Sequence, residues 1–429
     1  MRYRYRTDEE MKDSGVEWIG KIPKDWEVSK LRWYLRCKSG DFITNITNKE
    51  NMFIEDAMIP VIGGNGIMGY GKEFNVKENV LAIGRVGALC GNVHFIDYPC
   101  WITDNSLIVN SINDKLEIKY LFRLLQALNL NRLSTSTAQP LITGETIKRS
   151  SLCIPSLCEQ QYIYKFIDEK ISQFDLIISK KEELIKKLEE AKKSLISEVV
   201  TGKVKVVKTD GGYELVKRKS DEMKDSGVEW LGNIPNEWHL EKGKWLFYNS
   251  NEKGDESKIL LSATQDRGII PKEQLDSVVQ NKEDTDFTNF KLVKKYDFII
   301  SLRSFQGGFE MSEYDEGIIT PAYSVLRSKT ELNPYYYKYL LKERGFIGIL
   351  NSLTVGIRDG KNIKYDDFAK TLLPKPSLKE QQIISDYINI SILNINSTIS
   401  KTKKQIEKLK EAKQSLISEA VTGKIDILD

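Results

Sequence analysis

The 429-residue chain carries 64 basic and 61 acidic side chains, so its net charge of +3 by itself singles out neither nucleic acid nor a membrane surface as a partner. With 49.3 kDa and 40% apolar residues it is long enough for two separate cores. Five cysteines, an odd number, and no apolar run of membrane-spanning length argue against a disulfide framework and for a reduced, cytoplasmic protein.

From Met11 the chain reads MKDSGVEW, and from Met223 it reads the same eight residues again. Without gaps, these opening blocks, 11–35 and 223–247, share 14 of 25 positions. A closing block, KLEEAKKSLISEVVTGK at 187–203, returns as KLKEAKQSLISEAVTGK at 408–424 with 14 of 17 positions identical. The stretches between have diverged, and the offset grows from 212 residues at the opening to 221 at the close. Two tandem halves therefore share a frame and differ in what they hold. Six of the seven tryptophans, Trp18, Trp26, Trp33 and Trp230, Trp238, Trp245, fall at equivalent places in the opening blocks. Buried anchors and a subunit docking surface both account for them.

The interiors read as mixed α and β. Branched residues interrupted by glycines at 80–96 and 101–109 suit strands with turns, followed by a helix over 118–130. In the second half, 296–304, 317–327 and 334–344 repeat that order with different residues. Arg85 aligns with Arg303, each just past an apolar run, VLAIG or FIISL. A guanidinium at the end of a buried strand can reach guanine or phosphate at a domain edge, and it can equally close an internal salt bridge.

After each interior comes a long helix. Ser156 and Ser377 are N-caps with Glu159 and Glu380 at capping-box spacing, and Gly202 and Gly423 suit the left-handed C-terminal cap. Ile171, Phe174, Ile178, Ile185, Leu188 and Leu195 form a heptad seam interrupted by Lys181 and Lys192. The second helix repeats it at Ile392, Ile395, Ile399, Ile406, Leu409 and Leu416, with Thr402 and Lys413 at the same interruptions. The seam fits a coiled coil, or a helical hairpin inside one core. A helix over 157–201 is about 65 Å long at 1.5 Å per residue. The nineteen residues 204–222 would cover that distance only if almost fully extended, so the helices should pack antiparallel.

Several lookalike motifs fail on context. Residues 64–69 match G-x-G-x-x-G and 66–72 approach a P-loop, but Glu73 stands where Ser or Thr should hold Mg²⁺ and no helical stripe follows; a glycine-rich turn fits better. Asn333-Pro334-Tyr335-Tyr336 resembles N-P-P-Y without its second proline and reads as a helix start. Cys90, His94 and Cys100 lack a fourth ligand, so no metal site is expected and core cysteines are. His94 and His239 are the only histidines, which excludes a histidine base shared by both halves.

The duplicated MKDSGVEW-x-G-x-IP-x-x-W opening, the P-x-L-x-EQ helix start, the SLISE-x-VTGK helix end and two divergent interiors closely resemble the DNA specificity subunit of type I restriction-modification systems. The resemblance covers the chain from about Met11 onward. It implies an α+β chain of two tandem α/β target recognition domains joined by two long antiparallel coiled-coil helices about a pseudo-twofold axis. The expected divisions are residues 1–156, first recognition domain with an N-terminal arm; 157–202, first spacer helix; 203–222, linker; 223–377, second recognition domain; 378–423, second spacer helix; and 424–429, C-terminal tail. It further implies a bipartite, asymmetric duplex DNA target, two modification subunits and, in the full complex, two restriction subunits as partners. S-adenosylmethionine, ATP and Mg would serve those partners, leaving this chain without cofactor or catalytic residue. A protein-only coiled-coil adaptor is the competing class. The residues expected at DNA are Asn65, Lys72, Arg85, Gln139 and Lys148 in the first half and Arg303, Gln306, Arg358 and Lys361 in the second.

Overall fold

Two helices of equal length, Leu157–Val200 and Leu378–Val421, 44 residues each, organise the computed structural model, which describes residues 1–47, 58–112, 114–134, 140–264, 267–275, 287–300, 308–353 and 363–428. The chain divides into two compact units: Met1–Glu183 with Thr402–Asp429, and Leu184–Lys401. Each unit thus takes the beginning of one helix and the end of the other. That division follows from antiparallel packing. In the first unit Lys413 Nζ donates to Asp175 (2.6 Å) and Lys181 Nζ to Gln405 (2.7 Å), so rising numbers on one helix meet falling numbers on the other. In the second, Lys192 Nζ donates to Asn396 (2.9 Å). The lysines that interrupt the apolar seam reach polar partners across it, while Ile171, Ile399, Thr402 and Ile406 are buried and the other seam positions half-buried.

The helix ends show why the closing blocks repeat. Gly202 and Gly423 have φ of +76° and +73°, and the amides of Lys203 and Lys424 turn back to the carbonyls of Glu198 and Glu419 at 2.9 Å. A Cβ on Gly202 would sit 2.6 Å from Pro235 Cδ, and one on Gly423 2.5 Å from Pro23 Cδ. Each closing block is therefore pressed against an opening block, and neither can vary alone. At the helix starts, Ser156 and Glu159 cap each other reciprocally. Glu380 instead turns its carboxylate to Trp238 Nε1 and Arg218, both at 2.8 Å, keeping only the Ser377 half of the box.

The first unit's main sheet is antiparallel, in the order Leu35–Ser39, Ser106–Ser111, Val80–Gly84, Val93–Ile96. The helix Ile118–Leu128 packs on one face, burying Tyr120, Leu121, Leu124, Leu125 and Leu128. A smaller core around Ile62, Val76, Ile96, Cys100 and Ile102 lies with a three-stranded sheet of Trp101–Ile102, Ile59–Gly63 and Gly66–Gly71. The second unit repeats the main sheet in the same order, Phe247–Ser250, Ser324–Ser328, Phe298–Ile300, Phe309–Met311. Its covering helix is broken into Pro334–Leu340 and Arg344–Leu353.

The segment expected as a linker is folded: Val204–Thr209 and Gly212–Lys217 pair as a hairpin, which shortens its reach further below the length of a helix. In the first unit Arg2–Tyr5 pairs with Ile425–Leu428, so the two ends of the chain complete the counterpart of that hairpin. The N-terminal arm and C-terminal tail are thus one structural element.

Candidate nucleic-acid interface

In the first unit the strand Val80–Gly84 is buried at every residue and emerges at Gly84, where the backbone meets the Gly64 carbonyl so closely that a Cβ would lie 2.2 Å from its oxygen. Arg85 follows immediately. Its amide donates to Asn105 O and its carbonyl accepts from Ile142 N, both at 2.9 Å, which fixes the backbone from two sides. The guanidinium Nη1 donates to Ser39 Oγ at 3.4 Å, Nε has no partner among the described residues, and no described carboxylate lies within ion-pair distance. Of the two roles open to Arg85, the internal salt bridge has no acid among the described residues to complete it.

Asn65 stands at the tip of the hairpin between Ile59–Gly63 and Gly66–Gly71, with Gly66 at φ +100°. The glycine motif is thus a turn between strands, with no phosphate-binding helix behind it. Asn92 Nδ2 donates to Asn65 Oδ1 at 3.0 Å. Since Gly64 touches Gly84, the Asn65–Asn92 pair and Arg85 share one edge of the domain. Lys148, half-buried on the helix Gly144–Arg149, lies beside Cys37, two residues before Ser39. Burial pushes the Cys37 thiol up to about 11 against the opposing charge of Lys148, which keeps it protonated. Lys72 is exposed, but at the far end of the strand Gly66–Gly71 from Asn65, so it does not join this group.

Gln139, Arg303, Gln306, Arg358 and Lys361 lie outside the described residues. Sequence reasoning overlooked Ser39, Asn92 and Asn105, which position or extend the Arg85 edge. Asn92 carried a usable signal, since it follows Gly91 at φ +89° in the same glycine-broken run as Arg85.

The remaining motifs resolve structurally. Asn333 Oδ1 accepts from the amides of Tyr335 and Tyr336, making it an N-cap with Pro334 in the first turn. Tyr336 is buried and donates to Val200 O at 2.9 Å, and its counterpart Tyr120 donates to Val421 O at 3.1 Å. These phenols tie each domain to a helix end and have no face open to a base. Cys90 and Cys100 are fully buried in different cores, and no group of metal-holding side chains occurs among the described residues. Trp26 and Trp238 are buried and donate to Glu159 and Glu380, as anchors should. Trp33 and Trp245 are exposed, so burial does not account for them. Among the described residues no helix is long and apolar enough to cross a membrane.

Comparison with known proteins agrees with this architecture. Residues 23–189 match the type I restriction modification DNA specificity domain. The EcoprrI specificity subunit of Escherichia coli is 32% identical over 170 residues, 39% of this chain and 40% of that protein. The putative type I restriction enzyme MjaX specificity subunit of Methanocaldococcus jannaschii is 23% identical across 95% of this chain and 96% of its own length. Two solved folds are similar: a chain from a study of complex assembly and conformational transition of the type I R-M system (TM-score 0.64, 14% identity, 93% of this chain, 98% of that one) and the HsdS subunit of Thermoanaerobacter tengcongensis (0.51, 14%, 94%, 98%).

Proposed function

We propose that this chain, which belongs to the type I restriction-modification specificity subunits, reads a bipartite, asymmetric duplex DNA site with one half-site for each recognition domain. The observation that carries this reading is the pairing of a repeated frame with unlike interiors. Both units have the same main-sheet order and the same glycine-to-proline contact, and the two helices they share are 44 residues each, yet the residues between the blocks have little in common. A scaffold that had to bind one ligand twice would keep its interiors alike. One that reads two different sequences would keep the frame and vary the rest.

The Arg85 edge suits such reading: a guanidinium without a described acid partner and a pair of carboxamides can serve base edges in a groove. The chain itself performs no catalysis in this reading. Two modification subunits dock on it and supply methyl transfer with S-adenosylmethionine, two restriction subunits supply ATP- and Mg-dependent steps, and the complex works in the cytoplasm. The spacer helices set the gap between half-sites.

The test combines binding and methylation mapping. The complex with its modification subunits should bind duplex DNA with a steep inverse dependence on salt. Inserting one heptad into both helices should lengthen the unspecified gap in the methylated site and leave both half-site sequences alone. Altered half-sites would refute the helices as spacers, and absence of salt-dependent duplex binding would leave the protein-only adaptor.

A further inference from the structure

Both units expose a tryptophan at the same place in the opening block. Trp33 keeps 61% of its surface exposed and Trp245 59%, although Trp26 and Trp238, seven residues earlier, are buried. The surrounding positions have changed between halves, Leu31 to Gly243, Tyr34 to Leu246 and Leu35 to Phe247, while the exposed indole has stayed. A solvent-facing tryptophan contributes little to a core, so retaining it twice calls for a contact outside the chain.

Each indole has the same companions. The Arg32 guanidinium lies 4.7 Å above the Trp33 ring and the Lys244 ammonium 5.1 Å above the Trp245 ring. Exposed Lys30 and Lys242 stand two residues before those cations, giving K-x-[R/K]-W in both halves. Arg36 is exposed on the next strand of the first unit, and Lys329 Nζ reaches the Lys244 carbonyl at 2.8 Å in the second. The motif contains no acid in either half.

A surface kept alike beside two unlike readers must meet something that is alike at both half-sites. A partner protein docking twice satisfies that, and so does the phosphodiester backbone. The charge favours the backbone, because stacked cations are already ordered and offer their outer N–H groups to phosphate, while the indole can pack on deoxyribose. In the first unit the strand Leu35–Ser39 leads from Trp33 to the serine that receives Arg85. Six residues at no more than about 3.3 Å each keep Trp33 and Ser39 within roughly 20 Å of each other, near enough for both to engage one duplex.

We propose that Lys30-x-Arg32-Trp33 and Lys242-x-Lys244-Trp245 are a matched pair of sequence-independent clamps on the DNA backbone. This rests on the DNA-reading function proposed above and adds the residues that hold the duplex without reading it. Lys30 also donates to Ser151 at 2.8 Å, so Arg32 and Lys244 are the cleaner targets.

The experiment measures binding of the full chain, assembled with its modification subunits, to a duplex bearing its methylated site and to one of unrelated sequence, across a salt series. With R32Q and K244Q combined, the slope of log affinity against log salt should fall by about 1.8 on both duplexes, at about 0.9 for each phosphate no longer neutralised. R32K with K244R should restore it. W33A with W245A should weaken both duplexes by the same factor, with the slope and the preference between them unchanged. Unaltered affinity and slope in correctly folded variants, checked by melting temperature, would overturn the proposal. So would loss of modification subunits with an unaltered slope, which assigns the patch to a protein partner. A wild-type complex without salt-dependent duplex binding refutes the DNA-reading function itself, and the clamp with it.

Discussion

In the first unit the helix facing the sheet buries Leu121, Leu124, Leu125 and Leu128 against Leu81, Ile83, Leu107 and Val109, whereas the second unit fills the matching layer with Phe247, Phe298, Phe309, Tyr337, Phe346 and Phe368. The Phe247 ring alone meets Phe298, Tyr337 and Phe368 edge-on at 5.5 to 5.9 Å. At the ends of the two central strands the contrast is sharper. By strand register Val80 and Asn110 of the first unit correspond to Asp297 and Arg327 of the second. Val80 belongs to an apolar cluster, while Asp297 is buried and paired with Arg327 Nη2 at 2.7 Å. What the layer requires is filled volume and satisfied polar groups, and unlike side chains meet that requirement equally well. The blocks around Gly202 and Gly423 have no such freedom, because there backbone touches proline.

The largest expected break of this comparison is Arg327→Ala. It leaves the Asp297 carboxylate buried without its partner and should cost about 3–5 kcal/mol, whereas Asn110→Ala, at the matching exposed position, should stay within about 0.5 kcal/mol. Burial already raises the Asp297 carboxyl above its ordinary range, with Arg327 opposing the rise. The folded chain therefore holds that proton more tightly than the unfolded chain, and the group's contribution is most favourable at low pH and lost as pH rises through the folded value. Removing Arg327 raises the carboxyl further, so the deficit of the variant should shrink as pH falls and the carboxyl takes up its proton. Denaturation with hydrogen exchange resolved by unit, at neutral and acid pH, measures both effects.

At the frame the expectation is equality. Gly202→Ala and Gly423→Ala each force an L-residue into the left-handed region, at about 1–2 kcal/mol, and add a clash with proline. Matching losses within about 0.5 kcal/mol in the same assay would sharpen the distinction between fixed frame and free interior. A large disparity would break it.

Arg85→Ala probes the reading edge. It should cost about 1–3 kcal/mol of DNA binding and relax base preference at one position of one half-site, with the melting temperature unchanged. A lowered melting temperature with normal methylation specificity would make Arg85 structural. The smallest effects belong to Tyr120→Phe and Tyr336→Phe: the first removes a hydroxyl shared between the Val421 and Cys153 carbonyls and the second a hydrogen bond to the Val200 carbonyl, each for about 0.5–1.5 kcal/mol, and each should loosen its own unit alone in hydrogen exchange.

Much of the fold was legible because it is written locally. Ser156 with Glu159, the seam from Ile171 to Leu195 and the glycine past the last turn are short-range patterns, and they placed both helices within a residue or two of where they lie. The strand around Val80 and the helix from Ile118 followed from β-branched content and apolar spacing in the same way. The interface was less legible. Arg85 stood out by its place after an apolar run, but Ser39 and Asn92 become its neighbours only through strand pairing and the Gly64–Gly84 approach.

The sequence by itself determined the doubling of the frame, the two capped helices, their seam and, through the shortness of the connecting segment, their opposite directions. Each of these depends on periodicity or chain length, which a linear text records. Only the tertiary structure decided that a compact unit joins the beginning of one helix to the end of the other, that Arg2–Tyr5 closes a hairpin with Ile425–Leu428, and that Trp26 is an anchor while Trp33 faces water. Those outcomes depend on partners hundreds of residues away in the chain, brought into contact by antiparallel packing, and no local pattern around either partner names the other.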